Sequence, residues 1–313
     1  YGDHRDLHSL RRRQRQMCIR DRAKNLEELG YKVKVVECSG LRVFRALLYA
    51  LNSDFDVLIG TTHLGLAIGG VIKILKKKLF LADFIDRFSL LKVDTPIYFY
   101  PAMYAVILLE KLALKIADAV VVVPKDDYEE LSRKRGNVYK LNLCVDLEKF
   151  LHVRKETIDR ARTVLEKAGV DSDRPIIVYV GGFSKVYNLH ILLEAMEYLP
   201  DFQLVMVGGG ELEDKLERLK EEKKLDNVFF IGYQPNELIA GILRISSVGV
   251  TLAEIPRQLK IYEYLASDLS VVVPENMLND EEFEFGKYCV GAKLNPVDLA
   301  EKIKTSINKK VKY

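Results

Sequence analysis

The sequence predicts an α/β protein of two domains, each with a parallel sheet that helices cover on both faces. Three observations support this fold class. The chain has 313 residues, which is enough for two domains of ordinary size. From Ala23 onward, short apolar segments alternate with amphipathic helical segments, as in β-α-β units. The composition is 49% hydrophobic and 30% charged, which excludes disordered and collagen-like chains.

The first domain is predicted over residues 23–150. A helix, RAKNLEELG, ends at Gly30, because glycine is typical of the position after a helix C-terminus. A strand, KVKVVEC, follows it. Apolar periodicity predicts the remaining strands, and helices lie between them. These strands are expected at 56–60, 79–83, 119–123 and 138–143.

The second domain is predicted over residues 151–313. A charged helix at 154–168 connects the two domains, and the turn GVDSDRP marks the end of a boundary region at 150–172. The strands of this domain are expected at 176–180, 203–207, 228–231, 248–252 and 270–273. Both halves are therefore Rossmann-like, and two such domains that face each other across a cleft place ligands at the carboxyl ends of their strands.

Residues 1–22 differ from the rest of the chain. They carry seven arginines and lack both helical and strand periodicity. Three interpretations stay open: a segment foreign to the fold, a disordered basic tail, and an arm that binds anions. We assign no mechanism to this segment, and we see no signal peptide in it.

Charge and cysteine usage restrict the partners. The net charge is +3, but residues 1–150 hold 26 basic and 19 acidic side chains, against 22 and 26 in the remainder. A basic half is compatible with an anionic membrane surface or substrate, or with no partner, and nothing indicates nucleic acid binding. The four cysteines lack the spacing of a zinc site or disulfide framework, which favours a cytoplasmic setting. Charges interrupt the longest apolar runs, so no membrane span is expected.

The first loop with residues suited to ligand binding follows the predicted strand IIVYV. Gly181 and Gly182 allow backbone N–H groups and a helix N-terminus to approach a phosphate, and Lys185 adds a cation. A purely structural turn is an equally good interpretation. The loop lacks the G-x-G-x-x-G spacing of a dinucleotide site, which argues against a nicotinamide enzyme.

Two further loops follow strands of the second domain. After QLVMV, Gly209 permits close backbone approach, and Glu211 is expected in the first turn of a helix. In TLAEIPRQLKIYEYLASDLSVVV, Glu254 stands at a strand end, while Lys260 and Glu263 share one helix face. Carboxylates at such places can accept hydrogen bonds from sugar and ribose hydroxyls. The alternative for Lys260 and Glu263 is a surface ion pair.

Taken in order, these segments resemble the family 4, or group 1, nucleotide-sugar glycosyltransferases. The resemblance covers residues 23–308 and rests on ADAVVVV with VDLEKF, VYVGGFSK with LHILLEA, LVMVGGGELEDKL, NVFFIGY with PNELIAGIL, and KIYEYLA followed by VVV. It implies the two-domain GT-B fold and a retaining mechanism, with no metal and no cofactor. It also implies that Glu263 binds the nucleotide ribose and that Glu254 lies near the position that contacts the donor sugar.

The chain departs from the family pattern at the phosphate site. The two basic residues that bind phosphate in the family align with Gly182 and Tyr187. Charge-assisted hydrogen bonds contribute roughly 1.5–3 kcal/mol each, so we expect Lys185 or Lys260 to substitute. Other departures are Asp268 and Ser270 in the G-x-P-V-V segment and 142–144 in place of Pro-Asn-Gly. The strand and Gly-rich loop that begin the family's first domain are also missing from the pattern.

In the first domain, His63 follows a predicted strand and is expected at the cleft rim, where it could hydrogen-bond a hydroxyl. Asp83 and Asp86 have metal-like spacing but are expected to be solvated. The helical residues 98–117 and the lysines at 76–78 would suit a lipid-linked acceptor at a membrane surface, or form a core helix and a solvated lysine run.

These observations together predict a retaining glycosyltransferase that moves a sugar from a nucleoside diphosphate donor to a glycan or lipid-linked acceptor. It would be cytoplasmic, with possible peripheral contact with the inner face of the membrane. The alternatives are a noncatalytic glycosyltransferase-like subunit and a GT-B sugar-nucleotide epimerase. Catalytic roles are assigned to Glu254, His63 and Lys185, with no metal site. Donor binding is assigned to Gly181, Gly182, Gly209, Lys260 and Glu263.

Overall fold

The computed structural model describes residues 19, 22–38, 42–84, 100–123, 125–141, 145–255, 258–280, 283 and 286–307. Most of the Arg-rich segment, Asp86 and residues 142–144 lie outside these ranges. Contacts divide the chain into two compact units between residues 143 and 144. This division lies before the predicted boundary region, because Val145 and Phe150 pack in the core of the second unit.

The N-terminal unit, residues 19–143, contains a four-stranded parallel sheet in the order β1-β2-β3-β4. A helix connects each strand to the next, as parallel pairing requires. The strands predicted after residue 50 are confirmed, and their observed bounds differ from the predicted ones by a few residues. The elements are α1 (residues 22–28), α2 (Arg42–Asn52), β1 (Val57–Thr61), α3 (Thr62–Lys76), β2 (Leu79–Phe84), α4 (Tyr100–Ile116), β3 (Ala119–Val122), α5 (Lys125–Ser132) and β4 (Val138–Lys140).

Two glycines explain the close packing of α3. A Cβ atom on Gly69 would lie 2.1 Å from the ring of Phe80 on β2, and one on Gly70 would lie 3.0 Å from the Cβ of Ala113 on α4. The missing side chains thus let α3 lie directly on the sheet and on α4. Phe80 and Ala113 are both buried there.

The helix before Gly30 is confirmed, and Gly30 has the positive φ of +91° that favours glycine. The strand predicted for KVKVVEC is wrong, because residues 31–38 form no strand. A strand exists only through hydrogen bonds to a neighbour, and among the described strands β1 pairs with β2 alone. Val35 and Val36 are consequently exposed.

The expectation of a solvated lysine run at 76–78 is correct for the exposed Lys77 but not for Lys76. The Lys76 ammonium donates hydrogen bonds to the carbonyl oxygens of Ala50, Leu51 and Ser53, at the C-terminus of α2. A cation at this end of a helix also interacts favourably with the helix dipole. Lys78 pairs with Asp54 at 3.1 Å.

The C-terminal unit, residues 144–313, contains a six-stranded parallel sheet in the order β10-β9-β8-β5-β6-β7. All five predicted strands are confirmed, and β10 is an additional strand. Its elements are α6 (Leu147–Leu151), α7 (Lys155–Lys167), β5 (Ile176–Gly182), α8 (Leu189–Ala195), β6 (Gln203–Gly209), α9 (Glu213–Glu222), β7 (Val228–Phe230), α10 (Asn236–Ile245), β8 (Val248–Val250), α11 (Leu259–Ala266), β9 (Ser270–Pro274), β10 (Cys289–Ala292) and α12 (Pro296–Ser306).

Buried apolar side chains form two cores, one on each face of this sheet. Ile177 and Tyr179 of β5 belong to one core, and Ile176 and Val178 belong to the other, because successive side chains of a strand point to opposite faces. The C-terminal unit is thus a Rossmann-like α/β structure, and the N-terminal unit has a parallel sheet with its strands in sequential order. Across the described ranges, no helix has the length and apolarity needed to cross a membrane.

Candidate binding site at the carboxyl edge of the C-terminal sheet

The C-terminal sheet reverses its strand order at β5. This strand pairs with β6 over its whole length but with β8 only at two positions, Ile177 opposite Val248 and Val178 opposite Gly249. Beyond these pairs no ladder joins β5 to β8. In open α/β sheets, such a switch point at the carboxyl ends of the strands is where ligands bind.

Two side chains span the opening between β5 and β8. The Tyr264 hydroxyl accepts a hydrogen bond of 2.8 Å from the backbone N–H of Val180, and the Asn188 amide donates one of 3.1 Å to the carbonyl of Leu252. The Tyr264 ring lies against Gly249, where an added Cβ would be only 2.4 Å from a ring carbon. The tyrosine of KIYEYLA therefore anchors α11 at the switch point.

The carboxyl ends of β5 and β6 need glycine for backbone reasons, and the end of β5 is called here the Gly181 turn. Gly181 and Gly208 are paired in the ladder and have φ values of +150° and +130°. A Cβ atom on Gly208 would lie 2.0 Å from the carbonyl oxygen of Gly181. The next pair is Gly182 and Gly209, and a Cβ on Gly182 would meet no atom within 4 Å. Open space therefore borders the Gly181 turn.

Lys260, on α11, is buried in this region. Only 8% of its surface is exposed, so the expectation of a surface ion pair with Glu263 is wrong. A Cβ atom on Gly181 would lie 2.5 Å from the Lys260 amine. Burial lowers the pKa of Lys260 to about 7, and the charge of Glu263 opposes this shift.

Two aromatic residues that the sequence analysis did not assign enclose this amine. The Lys260 nitrogen lies 4.2 Å from the ring centre of Tyr179 and 4.0 Å from that of Tyr187, which is cation–π geometry. The amine also donates a hydrogen bond of 3.1 Å to the Tyr179 hydroxyl, which in turn donates one of 2.8 Å to the Gly182 carbonyl. The sequence offered one indication of this arrangement: Tyr187 stands where the family has a basic residue.

Glu263 follows Lys260 by one helical turn and is partly buried. Desolvation raises the pKa of its carboxyl group, while the charges of Lys149 and Lys260 lower it. Lys260 and Glu263 thus both have pKa values shifted towards their neutral forms. Two ionisable groups so perturbed at a sheet switch point are typical of a functional site.

Of three further predicted residues on these loops, Lys185 and Glu254 are exposed and Glu211 is partly exposed. Lys185 lies in a short 3₁₀ helix, and its side chain is exposed. Its backbone N–H donates a hydrogen bond of 3.5 Å to the Glu211 carboxylate. Glu211 lies before α9, which begins at Glu213, so its predicted place in the first helical turn is wrong. Glu254 is exposed after β8 and accepts a hydrogen bond from the Asn276 amide.

His63 lies in the N-terminal unit and directly follows β1, as predicted. It is nevertheless not at a rim, because it sits in the first turn of α3 with 7% exposure. Its Nδ1 forms a short hydrogen bond with the buried Glu110. The pair lies between α3, which carries His63, and α4, which carries Glu110. Burial of His63 therefore depends on how these two helices pack, which hydrophobic periodicity does not reveal.

The expectation that Asp83 is solvated is also wrong. Asp83 is the second-last residue of β2, has 1% exposure and pairs with Arg22. Burial raises the pKa of its carboxyl group, and its second oxygen, Oδ1, has no hydrogen-bond partner. Within the described ranges, no group of three or more His, Cys, Asp or Glu residues could hold a metal ion.

Comparisons with known proteins agree with this architecture. A family model described as "Glycosyl transferases group 1" matches residues 161–313. The chain is 30% identical over 112 residues to alpha-maltose-1-phosphate synthase of Mycolicibacterium smegmatis, covering 32% of this chain and 27% of that protein. It is 37% identical over 91 residues to O-antigen chain mannosyltransferase C of Escherichia coli, covering 25% and 24%. These matches thus span about a quarter of each relative.

The structural comparison extends over both units. The crystal structure of Anabaena HepE in complex with UDP-glucose resembles this chain with a TM-score of 0.64 and 17% identity, covering 91% of this chain and 78% of HepE. The fold class is therefore GT-B, as the sequence predicted. The family model thus matches residues 161–313, just under half of the chain, and the likeness to HepE shows the fold alone.

Proposed function

We propose that this protein is a retaining glycosyltransferase that moves a sugar from a nucleoside diphosphate donor to a glycan or lipid-linked acceptor. The observation that carries the proposal is the switch point of the C-terminal sheet, where the Gly181 turn and the perturbed pair Lys260 and Glu263 meet. The donor is the substrate, and the proposal includes neither a metal nor a cofactor.

Each part of the site has a role in this reaction. The Glu263 carboxylate accepts hydrogen bonds from the ribose hydroxyls, and Glu254 contacts the donor sugar. The backbone N–H groups at Gly181, Gly182 and Gly209, together with lysine side chains, stabilise the charge that develops on the leaving diphosphate. The acceptor oxygen bonds to the anomeric carbon on the face that the diphosphate leaves, and the acceptor proton passes to the departing phosphate oxygen.

Calorimetric titration of the full chain with UDP, GDP and ADP, and with their common sugar conjugates, tests donor binding. We expect saturable binding of one base, and we expect Glu263→Ala to weaken it about tenfold or more, the effect of losing one charge-assisted hydrogen bond. Unchanged affinity in Glu263→Ala contradicts the ribose assignment. Glu301→Ala, at an exposed position of α12, is the matched control.

Product analysis separates this proposal from its two alternatives. Sugar transfer that requires an acceptor supports the glycosyltransferase. Conversion of the donor sugar without an acceptor indicates an epimerase. Donor binding without turnover in a screen of glycan and lipid-linked acceptors indicates a noncatalytic subunit, an alternative that the absence of basic residues at Gly182 and Tyr187 favours.

We also propose peripheral contact between the N-terminal unit and the cytoplasmic, anionic face of a membrane. Tyr104, Leu108 and Leu112 of α4 are four residues apart, share one helix face and are all exposed, at 69% for Leu108. Lys111 and Lys115 are exposed on the same helix. An apolar stripe beside lysines suits a surface of anionic lipids.

Flotation with vesicles of phosphatidylglycerol and phosphatidylethanolamine tests this contact. We expect the protein to float with the vesicles at low salt, and Leu108→Ser to reduce the bound fraction. Val297→Ser, which removes a comparably exposed apolar side chain from α12, should have no effect. Equal flotation of both variants contradicts the assigned surface.

A further inference from the structure

The Lys260 amine is an unusual group to bury. Its aliphatic stem enters the C-terminal unit with only 8% exposure, yet the amine donates its hydrogen bond to a neutral phenol, that of Tyr179. Glu263 attracts it electrostatically without forming an ion pair in the part of the chain that the structure describes. A buried ammonium without a paired carboxylate destabilises a fold, so its presence calls for a role other than stability.

The groups that face the amine come from three elements. Tyr179 reaches it from β5, Tyr187 from the 3₁₀ helix that follows the Gly181 turn, and Glu263 from its own helix, α11. The electron-rich faces of the two rings stabilise the protonated form only partly. The amine therefore lies in a tyrosine cage, defined here as Tyr179 and Tyr187, with unfilled capacity to donate hydrogen bonds.

The amine lies directly against the Gly181 turn. Because Gly181 has no side chain, the nitrogen comes so close to its backbone that an added Cβ would lie only 2.5 Å away. The phosphates of a donor would bind at this same turn. Lys185, the other lysine of this segment, has an exposed side chain instead.

We propose that Lys260, held in the tyrosine cage behind Gly181, is the cation that binds the donor diphosphate in this protein. The inference rests on the proposed function and names the residue that supplies the missing charge at its phosphate site. The positive charge comes from helix α11 rather than from the loop after β5, and Tyr187, at the family's basic position, holds that charge in place.

A proton-coupled binding step follows from this arrangement. Since the Lys260 pKa is about 7 in the free protein, the amine is largely neutral at about pH 8.5, where the terminal phosphate of a nucleoside diphosphate is fully ionised. The arriving diphosphate favours the ammonium form. Binding at this pH should therefore take up close to one proton, and affinity should decrease as the pH rises from 7 to 9.

Calorimetry of the full chain with UDP, GDP and ADP measures this directly, in two buffers of different ionisation enthalpy at about pH 8.5. We expect proton uptake by the unmodified chain for the diphosphate that binds. Lys260→Met should abolish the uptake and weaken diphosphate binding roughly 10- to 100-fold, the range for a charge-assisted hydrogen bond, while binding of the parent nucleoside stays unchanged. Lys304→Met, at an exposed position of α12, is the control.

The outcomes are distinguishable. If the unmodified chain binds none of the three diphosphates, the proposed function itself is wrong, and this inference with it. If a diphosphate binds without proton uptake, or if Lys260→Met binds it as tightly as the unmodified chain, the inference alone is overturned. The proton measurement needs no variant, so it decides the question even if Lys260→Met fails to fold.

Discussion

Removal of the Tyr264 hydroxyl tests whether its hydrogen bond stabilises the switch point of the C-terminal sheet. Because β8 stops pairing with β5 after Val178, the N–H of Val180 has no strand partner on that side, and the Tyr264 hydroxyl accepts its hydrogen bond at 2.8 Å. Tyr264→Phe removes one oxygen and leaves the ring packed against Gly249. A donor left unsatisfied in such a place costs about 1–3 kcal/mol.

Urea unfolding of the full chain, followed by far-UV circular dichroism because the protein has no tryptophan, measures this loss. We expect the unfolding free energy to fall by about 1–3 kcal/mol at an unchanged m-value, or Tm to fall by about 2–10 °C. Tyr198→Phe, at a tyrosine with 47% exposure in the same unit, controls for the loss of a phenol. If both variants unfold at the same urea concentration, the anchoring role of Tyr264 is refuted.

Three further predictions concern glycine geometry, pH and the N-terminal unit. Gly208→Ala should destabilise the chain by about 2–4 kcal/mol in urea, since it combines an unfavourable φ with a backbone clash, whereas Gly182→Ala should cost less than about 1 kcal/mol. Burial lowers the pKa of Lys260. The buried charge therefore destabilises the fold fully below about pH 7, and this destabilisation decreases as the pH rises towards the pKa of about 10.4 that lysine has in the unfolded chain. Lys260→Met should thus stabilise the chain more at pH 7 than at pH 9, by roughly 1–3 kcal/mol; an equal gain at both pH values contradicts the burial of a charge. Glu110→Ala should lower the unfolding free energy by about 3 kcal/mol, because it removes the buried carboxylate that hydrogen-bonds the buried His63 ring, and the exposed-site variant Glu129→Ala is its control.

The sequence predicted the C-terminal sheet closely but missed one element of the N-terminal unit. The buried strands of β5, β6 and β9 are continuous apolar runs between turn residues, a pattern that hydrophobic burial alone produces. KVKVVEC has a different strand-like pattern, in which lysines alternate with valines, yet it forms no strand. Strand formation depends on a partner elsewhere in the chain, and local periodicity carries no information about that partner.

The sequence predicted where the residues of the candidate site lie in the secondary structure, but it did not predict which of them are buried or what surrounds them. Lys260 and Glu263 were correctly placed on one helix face, because i and i+3 spacing is a local property. Whether that face is solvated or buried depends on β5 and on the loop after it. The cage of Tyr179 and Tyr187 joins residues about 80 positions apart from α11, and His63 acquired its partner Glu110 from a different helix.

By itself, the sequence determined the α/β class, the order of the elements and the glycines of the turns, because these depend on hydrophobic period and on backbone freedom at single residues. Only the tertiary structure decided the strand order, which puts the switch point between β5 and β8. It also decided the charge state of the site, because desolvation and the cage around Lys260 depend on contacts among residues distant in sequence.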